Sequence, residues 1–178
     1  ASMTRATFVT GGPWLPYLHH FCRLDEGRLR GIPDAGGTLP LGDGVLHSVP
    51  CHFMHAAVAH SIYDPVSRIL FSGDVGASFP AVARAELFVD ELAPVLDDMR
   101  PFHERLMVSN AACRALVRRL RALDIRIIAP QHGPILRGEA VGQFLDWLYE
   151  LRCGIDQLGE LYGEVQSDVD LLGPGAIS

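Results

Sequence analysis

The chain has 178 residues, 48% hydrophobic and 20% charged, which indicates one globular domain and excludes a disordered or fibrous protein. Its net charge of -6 and pI near 5.7 provide no basic surface for a nucleic acid, so nucleic-acid binding is not expected. The uncharged stretch from Val45 to Ser61 is interrupted by histidines and a proline, so we also expect no membrane span.

The cysteine and basic residues limit the chemistry further. The chain has no C-x-x-C pair and no recognisable signal peptide, so its cysteines are predicted to be reduced thiols of a cytoplasmic protein. Every basic residue is an arginine, which excludes reactions that need a lysine nucleophile.

Strands are predicted first along the chain. The segment up to Thr10 reads as a strand, and Trp14 to Phe21 as a short helix or an irregular apolar segment. Alternating apolar residues then predict strands over Leu46–Met54 and Arg68–Ser72. Tyr63-Asp64-Pro65 supplies the turn between these two strands.

Helical spacing dominates the second half of the chain. It predicts helices over Val82–Met99, Ala111–Leu123 and Glu139–Tyr162, with a short buried strand, Ile125–Ala129, before the last helix. Ser109 or Asn110 is the expected N-cap of the second helix. Residues 1–165 are therefore predicted to form one α/β domain, and residues 166–178 a tail or linker.

Metal-ligand residues follow three of the predicted strands. His55 comes directly after the first of them, Asp74 follows Ile69-Leu-Phe-Ser-Gly73, and His132 follows the short strand that ends at Pro130. Residues that end neighbouring strands converge at one edge of a sheet, and two imidazoles with one carboxylate are typical of a metal site.

The predicted ligand set is incomplete for two metal ions. A second ligand cluster of the H-x-[HE]-x-D-H kind does not occur between Ala1 and Ser178. Either the other ligands lie upstream of Ala1, or the site has lost them.

A family resemblance depends on several segments together. Leu39-Pro-Leu-Gly42, the turn at Tyr63-Asp-Pro65, Ile69-Leu-Phe-Ser-Gly-Asp74 and Leu123-Asp-Ile-Arg-Ile-Ile-Ala-Pro-Gln-His-Gly133 match its signature blocks. The region from Arg30 to Gln157 thus resembles the C-terminal half of the oxygen-binding diiron domain of flavodiiron proteins. The resemblance implies a metallo-β-lactamase-like αββα sandwich that lacks its N-terminal portion.

The same resemblance implies a site and an activity. His55 would bind one iron, Asp74 would bridge two irons, and His132 would bind the other. The domain would bind and reduce dioxygen or nitric oxide with electrons from a redox donor protein or a fused domain, because no flavin loop is present. A homodimer is expected by analogy.

Alternatives remain open at this point. Zinc in the same cradle would make a metallo-hydrolase, and a non-catalytic oxygen or iron sensor or a degenerate binding domain would need no turnover. His60 is a candidate for a supporting position behind the ligands, whereas His103 is expected at the surface at the start of a helix.

Overall fold

The computed structural model describes residues 6–18, 20–21, 25–81 and 86–163. The predicted tail and the first residues of the chain lie outside these ranges. The strands are β1 (Phe8–Gly11), β2 (Leu29–Ile32), β3 (Gly37–Leu41), β4 (Gly44–Pro50), β5 (His60–Asp64), β6 (Ile69–Gly73), β7 (Phe88–Val89), β8 (Ile127–Pro130) and β9 (Ile135–Arg137). The helices are α1 (Leu15–Leu18), α2 (Ala93–Leu106), α3 (Asn110–Leu120), α4 (Glu139–Glu150) and α5 (Leu158–Tyr162), with 3-10 turns at Gly12–Trp14, Glu26–Arg28 and Gly154–Gln157.

Seven strands form one mixed sheet in the order β3-β4-β5-β6-β8-β9-β7, and β1 and β2 form a separate parallel pair. β3 to β6 are antiparallel neighbours. The strand predicted over Leu46–Met54 is wrong at its end, because β4 ends at Pro50 and His55 lies in the following loop. The turn predicted at Tyr63-Asp64-Pro65 is also wrong in part, because pairing with β4 and β6 places Tyr63 and Asp64 in β5. β6 then pairs with β8 in parallel, so the chain crosses over through α2 and α3 before it returns to the sheet. The predicted α/β class is confirmed.

One hydrophobic core joins the sheet to the helices. Leu70 and Ile128 are fully buried on neighbouring strands, and Met99, Val117 and Phe144 are fully buried on α2, α3 and α4. Because the strands that end near Asp74 and His132 are anchored in this core, the sheet holds both segments at fixed positions.

The predicted second helix is confirmed, and the first is wrong in part. The Ser109 hydroxyl caps α3 by accepting a hydrogen bond from the Ala112 N–H at 3.3 Å. The first helix begins only at Ala93, with a proline at one of its first two positions, and continues to Leu106. Part of the sequence predicted as helix forms β7 instead, because parallel pairing with β9 overrides the helical spacing.

The predicted long last helix is also wrong, since α4 ends at Glu150. The Asn110 side-chain amide donates to the Tyr149 and Leu151 carbonyls at 2.9 and 2.8 Å and satisfies the helix end. Gly154 then adopts a φ of 52°, where an added Cβ would lie 2.2 Å from the Met107 carbonyl oxygen. A glycine is therefore required at this turn, and it separates α4 from α5.

Two further results concern elements that sequence patterns do not reveal. β9 is a three-residue strand, too short for alternation to be recognised. Among the described residues, no helix combines the length and the apolar character needed to cross a bilayer.

Candidate metal centre

The sheet topology brings the predicted ligands to one edge. Asp74 directly follows β6, and His132 comes two residues after β8, the parallel neighbour of β6. His55 lies in the loop between β4 and β5. Residues that are distant in sequence are therefore neighbours at the edge where these strands end.

Asp74 stands between the two imidazoles. The His55 Nε2 lies 2.9 Å from Asp74 Oδ2, and the His132 Nε2 lies 3.7 Å from Asp74 Oδ1. Each imidazole therefore faces a different oxygen of one carboxylate. The His55 and His132 side chains are 41% and 47% exposed, and that of Asp74 is 25% exposed, so the group is open on one side.

Backbone hydrogen bonds join the Asp74 and His132 segments into one unit. The Gln131 N–H donates to the Gly73 carbonyl at 2.7 Å, and the Ser78 N–H donates to the His132 carbonyl at 3.2 Å. Gly133 has a φ of 88°, and an added Cβ would lie 2.2 Å from the Ser78 Oγ. Glycine therefore follows His132 because the backbone at residue 133 passes too close to Ser78 for a side chain.

The His55 loop is built differently. Phe53 and His55 both adopt a positive φ, at 64° and 56°, although neither is glycine. The Phe53 N–H donates to the Ala56 carbonyl at 2.8 Å, and the Val108 N–H donates to the Phe53 carbonyl at 3.2 Å. These bonds hold a sparsely populated backbone conformation, of the kind that is concentrated at functional sites.

Two phenylalanines connect the two imidazoles on the side of α2. The Phe102 ring contacts the His55 ring edge-on at 5.7 Å between centroids and the Phe79 ring at 5.5 Å. Phe79 contacts the His132 ring at 5.5 Å. Aromatic rings therefore line one side of the site.

The three candidate ligands form two contacts rather than one cluster. A carboxylate whose oxygens face different imidazoles can bind one cation with each oxygen. Within the described parts of the chain, no set of three or more His, Cys, Asp or Glu side chains is close enough to hold a single ion. His55, Asp74 and His132 are thus arranged as two imidazole-carboxylate pairs that share one carboxylate.

His60 lies in a separate histidine pair. Its Nδ1 is 2.9 Å from the Ser48 Oγ, and its ring meets that of His52 edge-on at 5.1 Å. Burial, with the neighbouring His52, lowers the pKa of His60. The contacts of His60 are thus with β4 and with residue 52, so a supporting role behind the ligands stays a prediction.

The surface position predicted for His103 is wrong. His103 lies in the third turn of α2 and is fully buried against Phe144 and Trp147. Its Nε2 accepts a hydrogen bond from the Gly76 N–H at 2.9 Å, and its Nδ1 lies 3.0 Å from the Met99 carbonyl oxygen. The helical periodicity of α2 was the available signal, because His103 shares a face with Met99 and Val95.

Comparisons with known proteins agree with this architecture. The sequence profile described as ODP family beta lactamase matches residues 1–133. The solved structure of the apo state of the chemotaxis sensor ODP from T. denticola is 37% identical, with a TM-score of 0.81, over 90% of this chain and 66% of the other. A structure described as the peroxy diiron species of chemotaxis sensor ODP is 36% identical, with a TM-score of 0.82 and the same coverage.

More distant structures share the fold alone. The flavodiiron protein from Giardia intestinalis is 23% identical with a TM-score of 0.69, over 80% of this chain and 35% of the other. No curated protein is similar enough in sequence to match the chain. The chain spans about two thirds (66%) of the length of the sensor structures. With three quarters of its length matched by the profile, it belongs to the ODP family of metallo-β-lactamase-like domains.

Proposed function

We propose that this chain is a non-haem diiron domain that binds dioxygen. The observation that carries the proposal is the Asp74 carboxylate, whose two oxygens face the imidazoles of His55 and His132. In this role His55 and His132 each bind one iron, and Asp74 binds both. The names of the two sensor structures, one of them a peroxy diiron species, support iron and oxygen as the metal and the ligand.

The residues of this chain supply three features for oxygen binding. Asp74 places one negative charge between two cations, and the neutral imidazoles add donors without further charge. The Phe79 and Phe102 rings give an apolar wall that suits an uncharged diatomic ligand. Iron, when bound, would supply the electrons for oxygen binding.

Oxygen sensing is the use that the relatives favour. The structures at 36% and 37% identity are both described as chemotaxis sensors, whereas the flavodiiron structures are 17–23% identical. In a sensor, one oxygen per diiron site changes the state of the domain, and no turnover follows. We propose this use ahead of catalysis.

Reduction of dioxygen or nitric oxide is the second candidate. It is supported by the sequence blocks shared with flavodiiron proteins, including the segment that ends at His132-Gly133. It requires a redox donor protein or a fused domain as the electron source. A homodimer, in which two such domains work together, belongs to the same proposal.

Metal analysis tests the proposal. We expect about two irons per chain in the full-length protein purified without oxygen. His55→Ala, Asp74→Ala and His132→Ala should each lower the iron content while the far-UV circular dichroism stays unchanged. His47→Ala is the matched control, because His47 is exposed on β4 and its ring contacts that of Tyr63.

The outcomes distinguish the alternatives. Zinc in place of iron would favour a metallo-hydrolase, and a protein that binds neither metal would favour a degenerate domain. Unchanged iron in all three ligand variants would contradict the site. With iron bound, uptake of a single equivalent of oxygen would support sensing, whereas continued consumption with a reductant would support catalysis.

A further inference from the structure

His103 connects helix α2 to the turn that carries Asp74. The Gly76 N–H can only donate, so the His103 Nε2 at 2.9 Å must be the acceptor. The proton of the neutral ring is then on Nδ1, which donates to the Met99 carbonyl at 3.0 Å. Both ring nitrogens are used, and the geometry determines the tautomer.

Burial keeps this ring neutral. His103 is fully buried, and burial lowers its pKa to about 4. A neutral imidazole can accept the hydrogen bond from Gly76, whereas a protonated one cannot. The bond is therefore present throughout the neutral pH range.

Gly76 is the last part of a tightly bonded turn. The Ser72 hydroxyl donates to the Val75 carbonyl at 2.5 Å, and the Ala77 N–H donates to the Asp74 carbonyl at 3.1 Å. Gly76 itself is buried and has a φ of 95°. Without His103, its N–H would be buried with no acceptor, and the turn could recover a partner only by moving.

The residue before His103 completes the connection. Phe102 contacts the His55 ring at 5.7 Å, so two consecutive residues of α2 contact one candidate ligand and the turn of another. A change in the position of α2 would therefore move both. Metal sites depend on such supporting groups, because small rotations of a bridging carboxylate alter its distance to each ion.

The geometry points to His103 as a positioning residue for the Asp74 carboxylate, a role that rests on the proposed metal site. His103 does not bind the metal. It holds the Gly76 N–H, which fixes the turn and with it the direction in which Asp74 presents its two oxygens.

Cobalt(II) binding to the full-length protein tests this role. His103→Phe keeps a ring of similar size and removes both hydrogen bonds, and we expect it to weaken Co²⁺ binding by about tenfold or more. It should also change the visible absorption spectrum of the bound ion. His103→Gln, whose amide can donate to Met99 and accept from Gly76, should recover most of the affinity.

Trp147→Phe is the matched control. Trp147 packs on the His103 ring at 5.3 Å between centroids but makes no described bond to the Asp74 turn. The Trp147→Phe variant should keep a Co²⁺ affinity within about twofold of the original protein, although the substitution perturbs the same core. This separates a loss of packing from a loss of positioning.

Each result decides the question. Binding by His103→Phe within about twofold of the original protein, with the same spectrum, would overturn the role of His103 and leave the proposed metal site intact. An original protein that takes up no metal would overturn the proposed function and this role with it.

If His103→Phe does not fold, nuclear magnetic resonance of the unmutated protein answers instead. We expect the Gly76 amide and the His103 ring nitrogen signals to shift when zinc is added. Unchanged signals at zinc saturation would overturn the inference.

Discussion

The two sides of the candidate centre are built on different principles. On one side, the Asp74 turn and the His132 segment are bonded to each other and place glycines wherever φ is positive. On the other side, the His55 loop places Phe53 and His55 themselves at a positive φ. The backbone of the first side is thus unstrained and closely packed, whereas that of the His55 loop is strained.

The difference indicates which part of the site can respond to a ligand. The carboxylate side is anchored by buried neighbours such as Val75 and Ala77, so we expect its backbone to move little when an ion binds. The His55 loop holds a costly backbone conformation and contacts α2 through Phe102. We therefore expect changes in occupancy to move the His55 loop first.

The largest effect is expected from an added methyl group on the enclosed side. In Gly133→Ala the Cβ would lie 2.2 Å from the Ser78 Oγ and 2.8 Å from its carbonyl oxygen. We expect a loss of about 3 kcal/mol in the free energy of unfolding, from the clash and the positive φ together. Urea denaturation measures it.

Gly73→Ala is the control for Gly133→Ala. Gly73 also has a positive φ, 63°, but an added Cβ would meet nothing within 4 Å. Gly73→Ala should lower the free energy of unfolding by only about 1 kcal/mol. Equal losses in the two variants would show that the His132 segment is not as tightly enclosed as its contacts indicate.

A pH effect of intermediate size should come from His103. Its pKa is about 4 in the folded protein against 6.5 for the ordinary side chain, so the unfolded chain takes up a proton first as the pH falls. The contribution of the neutral His103 ring to the free energy of unfolding is complete above pH 6.5 and is lost as the pH approaches 4. We expect a loss of roughly 2 to 3 kcal/mol between pH 8 and 4.5 in metal-free protein.

Comparison with His103→Phe isolates that contribution. The variant lacks the titrating ring, so its unfolding free energy should depend less steeply on pH over the same range. Parallel curves for the two proteins would mean that His103 is not buried as a neutral ring. Denaturant titrations at a series of pH values provide the measurement.

The smallest effect is expected from relief of strain in the His55 loop. Phe53→Gly removes a half-exposed side chain from a φ of 64°. We expect the free energy of unfolding to rise by about 0.5 kcal/mol, since glycine accepts this conformation without steric cost. Thermal denaturation measures the change. Val66→Gly, at an exposed turn position without a positive φ, should instead lose a similar amount.

A loss of stability in Phe53→Gly would contradict the contrast between the two sides. It would mean that the contacts of the Phe53 side chain, rather than its backbone, hold the loop in place. The position of His55 relative to Asp74 would then depend on side-chain packing.

Sequence patterns were most informative where the chain alternates or repeats locally. The strand leading to Asp74 and the helix beginning after Ser109 follow from periodicity and a cap. The signature segments also identified the candidate ligands that the sheet brings together. At these positions, the local sequence pattern and the family resemblance predicted the same arrangement.

The rest depends on contacts between distant segments. The burial of His103 could have been inferred from its helix face, but its hydrogen bond with the Gly76 N–H could not. The end of α4 is set by Asn110, and β7 is set by its pairing with β9. Such tertiary interactions outweigh local preference, and a single sequence does not display them.

The parallel pairing of β6 with β8 also determines when the site can form during folding. Asp74 and His132 meet only after the chain has closed a long crossover through α2 and α3. Closing such a non-local contact is slow compared with forming a hairpin, because its entropy is lost before its contacts stabilise it. An ion bound at this carboxylate, as proposed, could bind only late on the folding pathway, so we expect metal in a refolding mixture to slow unfolding without speeding folding.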